Sequence, residues 1–296
     1  MHHIKKRDKL PPKREKVETL EILRQLSKSS KSLGELKGIA QTMSNQEMLI
    51  NAVVLQAAKD SSEIENIITT QDKLYKALAT KTKQGSQVKE VINYRRAIFS
   101  GSDLLKKQGF LRLKDVEFLQ KTIIENNAGI RSIPGTVLKN DKTGEVVYTP
   151  QQDKEHILDL LSNFLEHFNL KQESFPPLIN LAILHYQFES IHPFYDGNGR
   201  TGRILNILYL SSYINENKAN YYRLLNKVNK SDEWEEYILY ILKAIEVISN
   251  RTIDKINSIN NLLSETIEIA QKKNQKYREK NLLNCFLNSH IQKLNM

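Results

Sequence analysis

The stretch HPFYDGNGRTGR, residues 192–203, decides the fold and the chemistry expected of this chain. Glycines let successive backbone N–H groups point at one anion, and a helix that begins here adds its positive N-terminal end. The stretch therefore predicts a loop-to-helix junction that binds phosphate groups. Its candidate residues are one imidazole, one carboxylate, two guanidiniums and the small or flexible positions among them: His192, Asp196, Arg200, Arg203, Gly197, Asn198, Gly199, Thr201 and Gly202.

Each charged side chain of this stretch suits one step of phosphate chemistry. Asp196 offers an oxygen ligand to Mg²⁺, which proteins bind through one or two carboxylates together with phosphate oxygens. His192, with an unperturbed pKa of about 6.5, can take a proton from a hydroxyl near neutral pH. Arg200 and Arg203 lie three residues apart on one helical face, so both can reach the same polyphosphate. Phe194 is expected to anchor the loop in the core.

Composition and apolar periodicity predict a mainly helical chain. Only 11 glycines and 7 prolines occur in 296 residues, so turns are scarce. Asp115 is expected to cap the helix that follows it, and a capping box at residues 44–47 precedes another. The predicted helices are at 17–42, 46–66, 71–80, 86–108, 115–127, 152–168, 176–191, 199–210, 219–228, a long helix after residue 232, and 252–273.

Residues 129–150 break the helical pattern. The segments 136–138 and 146–148 flank a polar turn at 140–144, which predicts a β-hairpin. We therefore expect an all-α fold with a single hairpin. Three domains are expected: an N-terminal helical domain at 1–80, a core at 81–250 and a C-terminal helical extension at 251–296.

Charge and cysteine content restrict the class of protein. The formal net charge of +10 resides at the two ends, since residues 17–270 sum to zero, which argues against a nucleic-acid groove across the core. A single cysteine, Cys285, excludes an internal disulfide and fits a reducing cytoplasm. Neither a secretory leader nor an apolar run of 18 residues is present, so we expect a cytoplasmic protein without a membrane span.

The stretch 192–203 resembles, at every specified position, the signature of the Fic family in the Fic/Doc superfamily, His-Pro-Phe-x-Asp-Gly-Asn-Gly-Arg-x-x-Arg. The resemblance implies a protein adenylyltransferase, which moves AMP from ATP to a Ser, Thr or Tyr hydroxyl and releases pyrophosphate. By that resemblance His192 is the base and Asp196 the Mg²⁺ ligand. It also implies that Asn198 and Gly199 line a hole for the α-phosphate, and that the two arginines hold the outer phosphates. Doc-type kinases lack the aspartate and the second glycine, which favours nucleotidyl transfer here.

The residues Ser61, Glu65 and Asn66 resemble the inhibitory motif of this family, (Ser/Thr)-x-x-x-Glu-(Gly/Asn). The position of the motif before the core implies the subclass with an N-terminal inhibitory helix. Glu65 would pair bidentately with Arg203 and occupy the guanidinium that the γ-phosphate requires. In related enzymes the same glutamate supports removal of AMP, so a bifunctional cycle is a further expectation.

Two further regions resemble family sites for the base and the target. Tyr221, Tyr222 and Asn229 resemble adenosine-binding positions. The hairpin, with Val146, Val147 and Tyr148, resembles the flap whose edge pairs with the target segment, a mode of binding that suits strand addition.

Residues 277–296 resemble the start of a winged helix without its recognition helix, so DNA binding is not expected. The expected partners are ATP, an unidentified target protein and the protein itself, and a homodimer stays open.

Other functions remain to be separated from this one. The same fold can transfer phosphocholine, UMP or phosphate, or act mainly in de-AMPylation. A DNA-binding regulator with a nucleotide-sensing core is an alternative of another class. A zinc hydrolase built on His185, Glu189 and His192 fails on spacing, because two-histidine helical sites need i, i+4.

Overall fold

The computed structural model describes residues 9–43, 46–79, 85–139, 144–169, 175–206, 228 and 232–273. Within these residues the chain is mainly helical, as predicted. In chain order the helices are α1 (Arg14–Val17), α2 (Leu20–Gln41), α3 (Gln46–Ile64), α4 (Gln71–Ala79), α5 (Ser86–Gln108), α6 (Leu113–Ile124), α7 (Lys154–Phe168), α8 (Pro177–Ile191), α9 (Asn198–Asn206) and α10 (Trp234–Lys273).

Helix α8 lies at the centre of the larger hydrophobic core. It begins at Pro177, whose fixed φ suits the first helical turn. Phe188 and Ile191 near its end are at most 1% exposed, and α2, α7 and α10 pack around the helix. A helix that is apolar on nearly all sides is stable only when buried. Helix α8 therefore delivers the following loop, which starts at His192, from the middle of the protein.

A smaller core holds α9 in place. Leu55 of α3, Tyr94 of α5 and Leu119 of α6 are buried there, at most 2% exposed, and apolar residues of α9 pack against this cluster. Burying one such side chain contributes roughly 1.5–3 kcal/mol. This core brings the end of α3, which carries Ser61 and Glu65, next to α9.

Asp115 caps α6 as predicted, but from the third position of the helix and not from the position before its first residue. The helix begins at Leu113, and Asp115 at the third position accepts hydrogen bonds from the backbone N–H of Arg112 at 2.9 Å and from its Nε at 2.8 Å. The Arg112 side chain lowers the pKa of Asp115 to about 2. A carboxylate at this position reaches back one turn, as in a capping box.

The predicted hairpin is present and attached to the end of α8. Its strands β1 (Leu138–Lys139) and β2 (Val146–Tyr148) pair antiparallel, with Leu138 opposite Tyr148 and an irregularity after Leu138. The Tyr148 hydroxyl donates to the carbonyl of Ser190 at 2.9 Å. The hairpin therefore lies beside the loop that begins at His192.

Helix α10 is one continuous helix of 40 residues where the sequence predicted two. Its apolar face continues across residue 250, with Ile248, Ile253 and Ile256 all buried. No helix in the described portion combines the length and the apolar character that a membrane span requires. The predicted helix at 219–228, apart from residue 228, the capping residues 44 and 45, and the winged-helix segment at 277–296 lie outside the described residues.

Candidate active site

The loop from His192 to Gly197 is closed by a side chain of the helix that follows it. Asn198 donates from Nδ2 to the carbonyl of Phe194 and accepts the Phe194 N–H at Oδ1, both at 2.8 Å. Phe194 is fully buried, as predicted. His192 caps α8 in the left-handed region, with φ of 50°. The Asn198 side chain thus shapes the loop, and its place in an α-phosphate hole stays a prediction.

Three glycines allow α9 to approach its neighbours closely. Gly197 has φ of 81°, and a Cβ there would lie 2.7 Å from Ile124 Cγ1. A Cβ at Gly199 would lie 2.5 Å from Glu65 Oε1, and one at Gly202 would lie 2.5 Å from Glu189 Oε1. The missing side chains at 199 and 202 therefore make room for the carboxyl groups of Glu65 and Glu189.

Arg203 is buried and shared between two residues of the motif at the end of α3. Its Nη2 donates to Glu65 Oε1 at 2.7 Å and to the Ser61 carbonyl at 2.9 Å, and its Nε donates to Ser61 Oγ at 2.8 Å. Burial alone lowers the pKa of Arg203, but the combined effect of Glu65, Tyr94 and Glu189 outweighs it and raises the pKa above its usual range. The predicted pairing of Glu65 with Arg203 is present. Ser61 accepts two further hydrogen bonds from the same guanidinium, and the bidentate form of the pairing stays a prediction.

Asn66 ends the motif that begins at Ser61 in a left-handed turn. Its φ is 61°, and the N–H of the next residue, Ile67, bonds back to the Ser62 carbonyl at 3.0 Å. Glycine and asparagine are the residues that adopt this conformation most readily after a helix. The last position of the motif is therefore explained by backbone geometry, which turns the chain directly after Glu65.

Arg200 points to a different carboxylate. Its Nη1 donates to Glu90 Oε2 of α5 at 2.8 Å, and its Nη2 lies 3.5 Å from Asp196 Oδ1. Arg200 is 4% exposed in its side chain. The two arginines of α9 are thus held by separate acidic residues, and the structure does not bring them onto one shared partner. Glu90 has no motif around it in the sequence that could have marked it.

A second carboxylate lies behind Arg203. Glu189 of α8 faces Gly202, and its Oε1 is buried without a hydrogen-bond partner among the described residues. Burial raises the pKa of Glu189 to about 7, against the attraction of Arg203 and with added repulsion from Glu65. Burial likewise lowers the pKa of His185, one turn earlier, to about 3. Arg203 therefore lies in the field of one carboxylate at the surface and another in the interior.

The segment before the hairpin runs antiparallel to the loop that begins at His192. Ile130 forms a bridge with Phe194, and the Tyr195 hydroxyl accepts the N–H groups of Ser132 at 2.9 Å and Ile133 at 3.1 Å. Arg131, fully buried, lies between these contacts. Sequence reasoning missed Arg131, because it stands outside any motif and its partners are main-chain atoms 60 residues away.

The candidate metal ligand and the hairpin lie at the surface of the site. Asp196 is 64% exposed in its side chain, and its Oδ1 accepts the Gly197 N–H at 2.5 Å. Among the described residues no three or more His, Cys, Asp or Glu side chains form a cluster for a metal. One open carboxylate fits a cation whose other ligands come from phosphate and water. Tyr221, Tyr222 and Asn229 lie outside the described residues.

The fold and the site define a class: a mainly helical core with a hairpin beside a glycine-bearing loop that starts a short basic helix. Sequence models of two families match in adjacent regions, Fic/DOC family N-terminal at residues 23–103 and Fic/DOC family at residues 110–210. Together they cover more than half of the chain, and the protein belongs to the Fic/DOC family.

Individual relatives agree with this assignment. The chain is 27% identical over 143 residues to a protein adenylyltransferase Fic from Aedes aegypti and 34% identical over 80 residues to protein adenylyltransferase fic-1 from Caenorhabditis briggsae. The matches take in 47% and 24% of this chain, but only 28% and 16% of the relatives' own length. A Fic family protein from Desulfovibrio desulfuricans has a similar fold, with a TM-score of 0.70, 17% identity, and coverage of 96% of this chain and 89% of that one.

Proposed function

We propose that this protein is an adenylyltransferase, held inactive by its own Glu65, which transfers AMP from ATP to a hydroxyl of a target protein or of itself. The observation that carries the proposal is the contact of Glu65 with Arg203 and with the position of Gly199. A carboxylate stands where a phosphate of the nucleotide would lie. Relatives named protein adenylyltransferase support the type of reaction.

The proposed reaction replaces the anhydride oxygen at the α-phosphorus by the oxygen of the target hydroxyl, which forms an ester. His192 accepts the proton of the target hydroxyl, whose oxygen forms a bond to the α-phosphorus. The bond from that phosphorus to the bridging oxygen breaks, and pyrophosphate leaves with the electron pair. The N-terminal end of α9 and the guanidinium of Arg203 stabilise the negative charge on the phosphates.

Asp196 would hold Mg²⁺, because its carboxylate is open to solvent at the start of α9. The ion would neutralise charge on the phosphates when it is bound. The residues of the chain do the positioning: Asn198 fixes the loop, and Gly197 and Gly199 let the backbone approach the phosphates.

Inhibition follows from competition for one guanidinium. In the present geometry Arg203 is occupied by Glu65 and Ser61, so a γ-phosphate cannot take the same donors. ATP then binds weakly or with its α-phosphorus out of line with the nucleophile, which removes the advantage of orientation. Removal of the carboxylate should free both Arg203 and the space beside Gly199.

The hairpin is proposed to dock the target segment. Val146 is half exposed, whereas Val147 and Tyr148 are partly covered. An extended target segment that pairs with this edge would be held by its main chain next to His192, since Tyr148 bonds to the carbonyl of Ser190.

The test is mass spectrometry of protein incubated with ATP and Mg²⁺. The Glu65→Gly variant should gain the mass of AMP on itself or on a lysate protein, at a rate at least about 10-fold above wild type, the gain expected when one strong charged contact is removed. His192→Ala on the Glu65→Gly background should abolish the adduct. An adduct of another mass would favour a different donor, and loss of AMP from a modified protein would favour de-AMPylation. Equal rates for wild type and Glu65→Gly would remove the inhibition from the proposal.

A further inference from the structure

Arg131 is a fully buried arginine that makes its contacts with the backbone at the end of α8. Its Nε donates to the carbonyl of His192 at 2.6 Å, and its Nη2 donates to the carbonyl of Ile191 at 3.1 Å. Its own backbone N–H donates to the carbonyl of Pro193 at 2.9 Å. Three consecutive carbonyls around His192 are therefore held by one residue from the segment before the hairpin.

Its charge is compensated by the helix rather than by an acid. The described residues offer Arg131 no ion pair, although its side chain is 0% exposed. The last carbonyls of a helix lack partners within the helix and carry its negative end. A guanidinium supplies what these carbonyls require, and a neutral side chain in the same place would leave two buried acceptors unpaired.

The two carbonyls belong to the peptide groups on either side of the His192 Cα. Fixing both peptide planes fixes φ and ψ of His192, and with them the direction of its Cα–Cβ bond. This residue needs such support, because its φ of 50° lies in the left-handed region, which is unfavourable for a residue other than glycine. Without the two bonds the backbone can relax, and the imidazole moves with it.

We propose that Arg131 is a positioning residue for His192, which holds the base in its productive orientation through the peptide groups on both sides of it. The proposal rests on the proposed function in one respect, namely that His192 is the base. Arg131 is a positioning residue and not a catalytic one, because its side chain is buried and bonds to backbone carbonyls.

The arrangement requires the forked shape of arginine. Two nitrogens of one planar group reach two successive carbonyls, whereas the single ammonium of lysine can satisfy one at a time. Arg131→Lys therefore keeps the charge and removes the fork. A matched control is Arg112→Lys, which also removes an arginine fork, on Asp115 at the start of α6 and away from His192.

The experiment compares both variants on the Glu65→Gly background. Arg131→Lys should lower kcat about 100-fold, since an error of about 1 Å in a reacting group costs this much. The KM for ATP should stay within about 3-fold, because the bonds between Phe194 and Asn198 hold the nucleotide side of the loop without Arg131. Arg112→Lys should leave kcat unchanged. Guanidinium ion added to Arg131→Ala should restore part of kcat and should not affect Arg112→Ala.

A second readout does not depend on activity. In protein labelled at histidine, the imidazole resonance of His192, assigned with His192→Ala, should shift or broaden in Arg131→Lys and not in Arg112→Lys. If the Glu65→Gly variant proves inactive, that result contradicts the proposed function alone. The resonance of His192 then still tests the positioning by Arg131. An unchanged His192 resonance, a kcat within 3-fold of the parent, or the loss of cooperative unfolding in both Arg131 variants would overturn the inference.

Discussion

Oε1 of Glu65 lies 2.7 Å from Nη2 of Arg203, although 138 positions of the sequence separate the two residues. The contact joins the end of α3 to the second turn of α9. Ser61, one turn before Glu65, completes it by accepting from Nε of the same guanidinium. Glu65 and Ser61 together therefore determine how firmly Arg203 is held.

Replacement of Ser61 should release Arg203 in part. Ser61→Ala removes the acceptor for Nε and keeps the Ser61 carbonyl, so we expect automodification about 3- to 10-fold above wild type and below Glu65→Gly, in line with the loss of one hydrogen bond to a charged group. Ser62→Ala is the control, because Ser62 is equally buried and its Oγ bonds to no described residue. Equal activation by the two variants would show that loosening of α3, and not the Nε contact, is responsible.

Gly197 should tolerate alanine poorly for two separable reasons. Its φ of 81° strains any side chain, and a Cβ would also overlap Ile124. Gly109 at the end of α5 has a similar φ of 74° with no atom within 4 Å of the added Cβ, so it isolates the strain. We expect Gly109→Ala to lower the free energy of unfolding by about 1 kcal/mol and Gly197→Ala by about 2–4 kcal/mol, measured by urea titration. Equal losses would mean that the loop moves away from Ile124 without cost.

Glu189 should make stability depend on pH. Burial raises the pKa of its carboxyl from the ordinary 4.5 to about 7, so the folded protein holds a proton that the unfolded chain releases. Below pH 4.5 the carboxyl of Glu189 is protonated in both the folded and the unfolded chain, so it does not change the free energy of unfolding. As the pH rises from 4.5 to about 7, the free energy of unfolding falls. Glu189→Gln should therefore be more stable than wild type at pH 8, by about 1–3 kcal/mol, and no different near pH 4.5. The same difference at both pH values would contradict this assignment.

Glu90 should orient Arg200. On the Glu65→Gly background, Glu90→Gln removes the charge that holds Nη1 of Arg200 at 2.8 Å, and we expect the KM for ATP to rise about 5-fold, equivalent to about 1 kcal/mol. Glu125→Gln is the control, because Glu125 pairs with Lys89 and Arg96 outside the site. A fall in KM would instead mean that Glu90 competes with the nucleotide for Arg200.

The sequence predicted the parts of the site that are local in the chain. The loop 192–203 and the motif at Ser61 and Glu65 are short segments whose residue types indicate the chemistry they can perform. Phe194 and the hairpin also followed from local pattern, and the structure confirms both. Asp115 was misjudged by a few positions, because a carboxylate can cap a helix from the N-cap or from its third residue.

Other residues of the site could not be predicted in this way. Glu90, Arg131 and Glu189 act through partners that only the tertiary fold brings near, and each stands in an ordinary helix or loop sequence. The continuity of α10 was missed for a related reason. The packing of buried residues such as Ile253 and Ile256 keeps α10 continuous, whereas the polar character of residues 252–273 had indicated a separate helix.

Because Glu65 belongs to the same polypeptide as Arg203, the inhibition proposed above is that of a tethered competitor of the nucleotide. A tethered group is present at an effective concentration on the order of millimolar, whatever the abundance of the protein. Dilution or overproduction of the protein would then leave the inhibited fraction unchanged. Only a change in nucleotide concentration or in the position of α3 would alter that fraction. The proposed activity would thus depend on the concentration of nucleotide and not on the concentration of the protein itself.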